Sequence, residues 1–110
     1  MTSIHYNPAH KEVLDSFLLP FPGVKPGKMF GYPAYYIDTR LFACLYEEGV
    51  GVKVPADIAD SLVGREGIVR FQPLGRKPMK EWIQINRARS EDYAGDIEIF
   101  RISMAFTSSK

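Results

Sequence analysis

Apolar positions recur at helical spacing near both ends of the chain and at strand spacing through its middle. The stretch from Lys28 to Val54, KMFGYPAYYIDTRLFACLYEEGVGVKV, is filled with aromatic and β-branched residues, which suit a pleated surface. Asp38-Thr39-Arg40 and Glu47-Glu48-Gly49 cut it into three short runs joined by hairpin-sized connections. In the third run Val50, Val52 and Val54 face one way and Gly51 and Lys53 the other. The second run, Leu41 to Tyr46, is more uniformly apolar, as expected of a strand covered on both faces. An antiparallel meander of this kind needs helices on its apolar face.

The flanks supply them. Asn7-Pro8 is a helix start, Asn as N-cap and Pro at the first helical position. Val13, Leu14, Phe17 and Leu18 make an apolar stripe, with His10, Lys11 and Asp15 assigned to solvent, and Pro20 ends the helix after Leu19. Val24 to Phe30 reads as an edge strand, because Pro26 cannot pair on both sides. Pro55 opens a second helix with Ile58, Ala59, Leu62 and Val63 inward and Gly64 as its C-terminal cap. Ile68, Val69 and Phe71 form a short strand. A Pro/Gly-punctuated loop, QPLGRKPMK, follows, and then the EWIQIN strand with Trp82 and Gln84 opposed to Ile83 and Ile85. Ser90 is the expected N-cap of a last helix, whose stripe is Tyr93, Ile97, Phe100 and Met104. The sum is a single α+β domain over residues 1–110. It has two layers, an antiparallel sheet of about five strands with helices packed against it, in the order α-β3/4-α-β2-α.

Composition narrows the function classes. A net charge of +1 demands no nucleic acid, membrane or acidic ligand. The one cysteine, Cys44, lies inside a predicted strand and reads as a small buried hydrophobe. No apolar run approaches membrane length, and the amino terminus lacks the basic-then-apolar pattern of a signal peptide, so the expected location is cytoplasmic.

Candidate chemistry is sparse. Met29, Phe30, Gly31, Tyr32 and Pro33 suit a groove for a peptide or small molecule, Gly31 permitting close approach and the aromatics giving flat surface. The plainer reading, preferred here, makes Met29 and Phe30 core and Gly31 a bulge. Arg70, Arg76, Lys77 and Lys80 form a basic cluster suited to anions or phosphates, with Trp82 near enough in sequence to stack a base; a solvated loop is the plainer reading. Tyr35, Tyr46 and Trp82 are candidates for an exposed aromatic contact face. The two histidines and Cys44 match no zinc spacing, no serine carries a nucleophile motif, and no glycine-rich phosphate loop or cofactor motif occurs. The expectation is a domain that is not an enzyme and needs no cofactor.

Lys28-Met29-Phe30-Gly31-Tyr32, followed by Tyr36-Ile37-Asp38 and Arg40-Leu41-Phe42-Ala43, resembles the amino-terminal domain of the TfoX/Sxy competence regulators. The likeness spans roughly Phe17 to Met104, with Tyr32-Pro33 and Asp38-Thr39 departing from the family's glycine-rich pattern. It implies a two-layer fold similar to the type III secretion chaperones, a homodimer, and a regulatory role through protein contacts. The family's regulators also carry a carboxy-terminal helical domain, which has no counterpart here. A nucleic-acid-associated regulator using the basic loop, and a small-molecule binder or small enzyme with a pocket near Tyr32 and Trp82, are the alternatives.

Overall fold

The computed structural model describes residues 4–73 and 77–108. Helix α1, Pro8–Leu18, leads into a four-stranded meander: β1 (Val24–Met29), β2 (Tyr32–Ile37), β3 (Arg40–Tyr46) and β4 (Gly49–Lys53). Helix α2 (Ala56–Leu62), β5 (Ile68–Arg70), β6 (Trp82–Asn86), a 3-10 helix (Ser90–Asp96) and α3 (Ile97–Ser108) complete the chain. The six strands form one antiparallel sheet in the order β1-β2-β3-β4-β6-β5. The class is α+β as the pattern predicts, with β1 present as a full edge strand.

Alternation along β4 and β6 sorts the two faces. Val50, Val52 and Val54, with Ile83 and Ile85, point inward and are completely buried. They meet Leu14 and Leu18 of α1, Ala59 and Leu62 of α2, and Phe100 and Met104 of α3 in one cluster. The apolar run in β3 has a second cause besides two-sided burial. Tyr35 pairs with Ala43 and Tyr36 with Leu41, so Phe42 is the extra residue of a bulge. The bulge turns both Phe42 and Ala43 into the core. Ser103 Oγ of α3 donates to the Phe42 carbonyl at 3.2 Å.

Both edges of the sheet are blunted. Phe30 and Gly31, both at positive φ, make a two-residue β1–β2 turn of the type that matches strand twist. Its flanking pair Met29–Tyr32 exchanges hydrogen bonds, and strict alternation then puts Pro26 opposite Tyr35 at a non-bonded position. The missing N–H of Pro26 therefore falls on the open side, between Lys25 and Lys28. At the other edge β5 is only three residues long.

Several local expectations change. Asn7 caps α1 as expected, its Oδ1 accepting from the Ala9 and His10 amides. His10, however, is 1% exposed and not at the surface. It lies on the same side as Leu14 and Leu18, and its ring sits edge-on to Tyr93 with centroids 4.9 Å apart. Ser90 caps no α-helix: it is the first residue of the 3-10 helix, whose N-cap Arg89 makes no side-chain capping bond. Arg87 explains the tight turn. Its guanidinium donates to both Asp96 carboxylate oxygens (2.9 and 2.6 Å) and to the Glu66 carbonyl (2.8 Å). This largely buried fork pins the 3-10 helix to β6 and to the turn before β5.

The Tyr93 hydroxyl lies 3.2 Å from His10 Nδ1 and 3.3 Å from the Ile85 carbonyl, and His10 Nε2 is left buried without a hydrogen-bond partner among the described residues. A second proton on His10 would bury charge there. Burial lowers its pKa below the usual imidazole value, against an opposing pull from Glu48. The unfolded chain then binds a proton that the folded chain refuses, so stability falls as pH drops below about 6.5. Replacing His10 with Gln should flatten the decline in urea midpoint between about pH 7 and pH 5, and equal slopes for the two proteins would refute the assignment.

Candidate binding site

The face of the sheet opposite the helices is closed by the chain's own loop. On β4 the outward positions are Gly49, Gly51 and Lys53, so the strand presents a trough of bare backbone. Phe71, just beyond β5, lies in it: a Cβ on Gly51 would come within 2.8 Å of the Phe71 ring. A row of aromatics then crosses the sheet. Tyr32 (β2) stands 4.9 Å from Tyr46 (β3), Tyr46 is 5.5 Å from Phe71 edge-on, and Phe71 is 5.6 Å from Trp82 (β6), centroid to centroid. Ala34 and Cys44 fill the floor, and Met29 packs at the Tyr32 end. Burying a ring of this size contributes about 2–3 kcal/mol.

This places the sequence candidates. Tyr32 and Trp82 share one apolar cluster but stand at opposite ends of it, on β2 and β6, and the groove beside Trp82 is not lined by Tyr32. Tyr35, Tyr46 and Trp82 are buried, so they form no exposed contact face. Tyr35 faces the helices, its hydroxyl donating to Asp15 Oδ1 at 2.5 Å. Phe30 is not core. It is 62% exposed at the hairpin tip with φ +51°, and Gly31 completes the turn and serves no bulge. Arg70 is ion-paired with Asp60 and reaches the Lys80 carbonyl. Lys77 and Lys80 are exposed, and Arg76 lies outside the described residues.

Two surface features remain. Beside Trp82 a groove of about 440 Å³ is lined by Lys53, Ala56, Met79, Lys80, Glu81 and Trp82. At the other end of the sheet, Ile4 packs against the hairpin tip; a Cβ on Gly31 would meet its Cδ1 at 3.1 Å. The segment carrying Ile4 is tied to the β3–β4 turn by His5 Nε2 and Glu48 (2.8 Å), Asn7 Nδ2 donating to Glu48 (3.2 Å), and the Glu47 amide donating to the His5 carbonyl (2.8 Å). Sequence reasoning passed over Ile4, Lys53 and Met79; the one available signal was the outward register of Lys53. Among the described residues no group of three or more His, Cys, Asp or Glu is placed to hold a metal, and no helix is long and apolar enough to cross a membrane. Compared with protein-family models, curated proteins and solved structures, the chain matches none.

Cys44 lies in the covered face, fully buried, and burial pushes its thiol pKa up to about 12. In the native protein at about pH 8 it should resist iodoacetamide and react only on unfolding. Gly51→Ala should displace Phe71, lower stability by about 1–3 kcal/mol in urea titration and speed Cys44 alkylation. Unchanged stability and labelling would show that Phe71 does not close this face.

Proposed function

We propose that the chain is a non-catalytic binding domain whose β1–β2 hairpin tip inserts Phe30 into an apolar, acid-rimmed pocket on a protein partner. Phe30 carries the reading. A phenylalanine held in the left-handed region costs about 1–2 kcal/mol relative to an ordinary conformation. Its ring is 62% exposed at the hairpin tip and belongs to neither apolar core cluster. Ile4, 43% exposed, extends the apolar surface beside Gly31. Lys28 of β1 is exposed near the tip, Lys25 is exposed at the far end of the same strand, and neither makes an ion pair among the described residues, which favours a partner with carboxylates around its pocket.

The blunted edges support contact through side chains over addition of a strand. The tip is also part of the Lys28–Tyr32 stretch that carries the likeness to the TfoX/Sxy amino-terminal domain. In this reading the chain works as a cytoplasmic regulatory module, and the homodimer which that likeness implies would form through faces and not by edge pairing. No feature of the basic loop lifts the nucleic-acid reading above this one, because Arg70 is already engaged by Asp60.

Phe30→Asn creates the Asn-Gly pair that such a turn prefers, and Thr39→Gly relieves comparable strain (φ +68°) in the β2–β3 hairpin. Each should stabilise the protein by about 1 kcal/mol in chemical denaturation. In a parallel capture from native extract, wild type and Thr39→Gly should retain a shared protein that Phe30→Asn loses. Equal retention by all three, or no retained protein, would overturn the proposal.

A further inference from the structure

The groove beside Trp82 combines an apolar wall with two lysines, Lys53 and Lys80, and one carboxylate, Glu81. Its frame is fixed by backbone hydrogen bonds. The Trp82 amide donates to the Met79 carbonyl (3.3 Å), the Met79 amide to the Phe71 carbonyl (3.3 Å), and the Val54 amide to the Glu81 carbonyl (3.0 Å). The Met79–Trp82 turn is thereby held against the end of β4, where Lys53 pairs in register with Trp82. The two lysines of the groove project from these anchored segments.

The lining divides by chemistry. Trp82, 8% exposed overall, lines the groove, Met79 is 37% exposed, and Ala56 adds a methyl group. These are soft, flat or small surfaces that suit an aromatic ring. Lys53 and Lys80 make no ion pair among the described residues, although Glu81 lines the same groove. Two ammonium groups against one carboxylate leave a local charge of one positive unit, which a single anionic head would balance. The volume, about 440 Å³, lies in the range of small-molecule sites.

We propose that this groove binds a small aromatic monocarboxylate, its ring against Trp82 and Met79 and its carboxylate between Lys53 and Lys80. The site lies on the β4–β6 side of the sheet, with β3 and β4 separating β6 from the hairpin that carries Phe30, so it stands apart from the protein-partner reading.

Trp82 is the only tryptophan of the chain, so its fluorescence reports the groove directly. The probe is 4-nitrobenzoate, a quenching aromatic acid, with 4-nitrobenzamide as its neutral counterpart. The acid should quench saturably, and the amide should bind about tenfold or more weakly, as expected for loss of a charge-assisted contact. The double variant Lys53→Gln/Lys80→Gln should weaken the acid by a similar factor and leave the amide unchanged. Arg65→Gln, a charge removed from outside the groove, and Phe30→Asn should both bind like wild type. Quenching that does not saturate, equal affinity for acid and amide, or indifference to loss of both lysines would each overturn the proposal. The comparison of acid with amide on wild-type protein needs no variant to fold.

Discussion

The contact between the Phe71 ring and the bare backbone at Gly51 is the constraint on which the outer half of this molecule depends. The described helices α1, α2 and α3 pack on one face of a six-stranded sheet, and the aromatics of the opposite face are buried against one another. A side chain at Gly51 would hold the returning chain away from the sheet. Without one, Phe71 settles between Tyr46 and Trp82 and joins the Tyr32–Tyr46 pair to Trp82 in a continuous row. That row shields Cys44 and buries Tyr32, Tyr46 and Trp82, residues that would otherwise make a large wet aromatic surface. Where the cover ends, at the Met79–Trp82 turn, the groove begins.

The inner half rests on directional polar contacts set into an apolar layer. His10 and Tyr93 bridge α1 to the 3-10 helix, and Tyr93 reaches on to the β6 backbone at Ile85. Arg87 and Asp96 hold that 3-10 helix to the neighbouring loop with a bidentate ion pair. Two buried polar contacts thus converge on Ser90–Asp96, and they account for a tight 3-10 segment where the apolar spacing alone suits a continuous α-helix. Such contacts are unforgiving in a low-dielectric setting, which is why the charge state of His10 is coupled to folding.

Strain and exposure coincide at one place only among the large apolar residues with positive φ, the hairpin tip at Phe30. Thr39 is comparably strained at φ +68°, but its side chain is small and polar. The hairpin tip and the Trp82 groove lie on different strands and differ in character. One is a projecting ring near an exposed lysine, suited to another macromolecule; the other is a recess with a cationic mouth, suited to a small anion.

Much of the fold was legible from residue order. The Asn7-Pro8 start, the alternation of Val50, Val52 and Val54, the opposed faces of the Trp82 strand and the proline on the edge strand are local signals, set by φ/ψ preference and by periods of 2 and 3.6. The misreadings share a cause. His10 falls on the apolar side of its helix but is a residue type usually given to water, and only Tyr93, 83 positions away, makes its burial tolerable. Phe30 reads as core by composition, yet the two-residue turn forces it outward. Tyr35 turns inward by the ordinary alternation of β2, opposite to Tyr32, Ala34 and Tyr36, whereas Phe42 owes its orientation to a bulge that no spacing rule revealed. The sequence by itself determined the strands, the cap and extent of α1 and the alternation of the sheet faces, because those depend on neighbours within a few residues. The tertiary structure alone decided which aromatics are covered, which cations are left unpaired and where a groove opens, because each depends on what a distant segment such as Phe71 brings across the sheet.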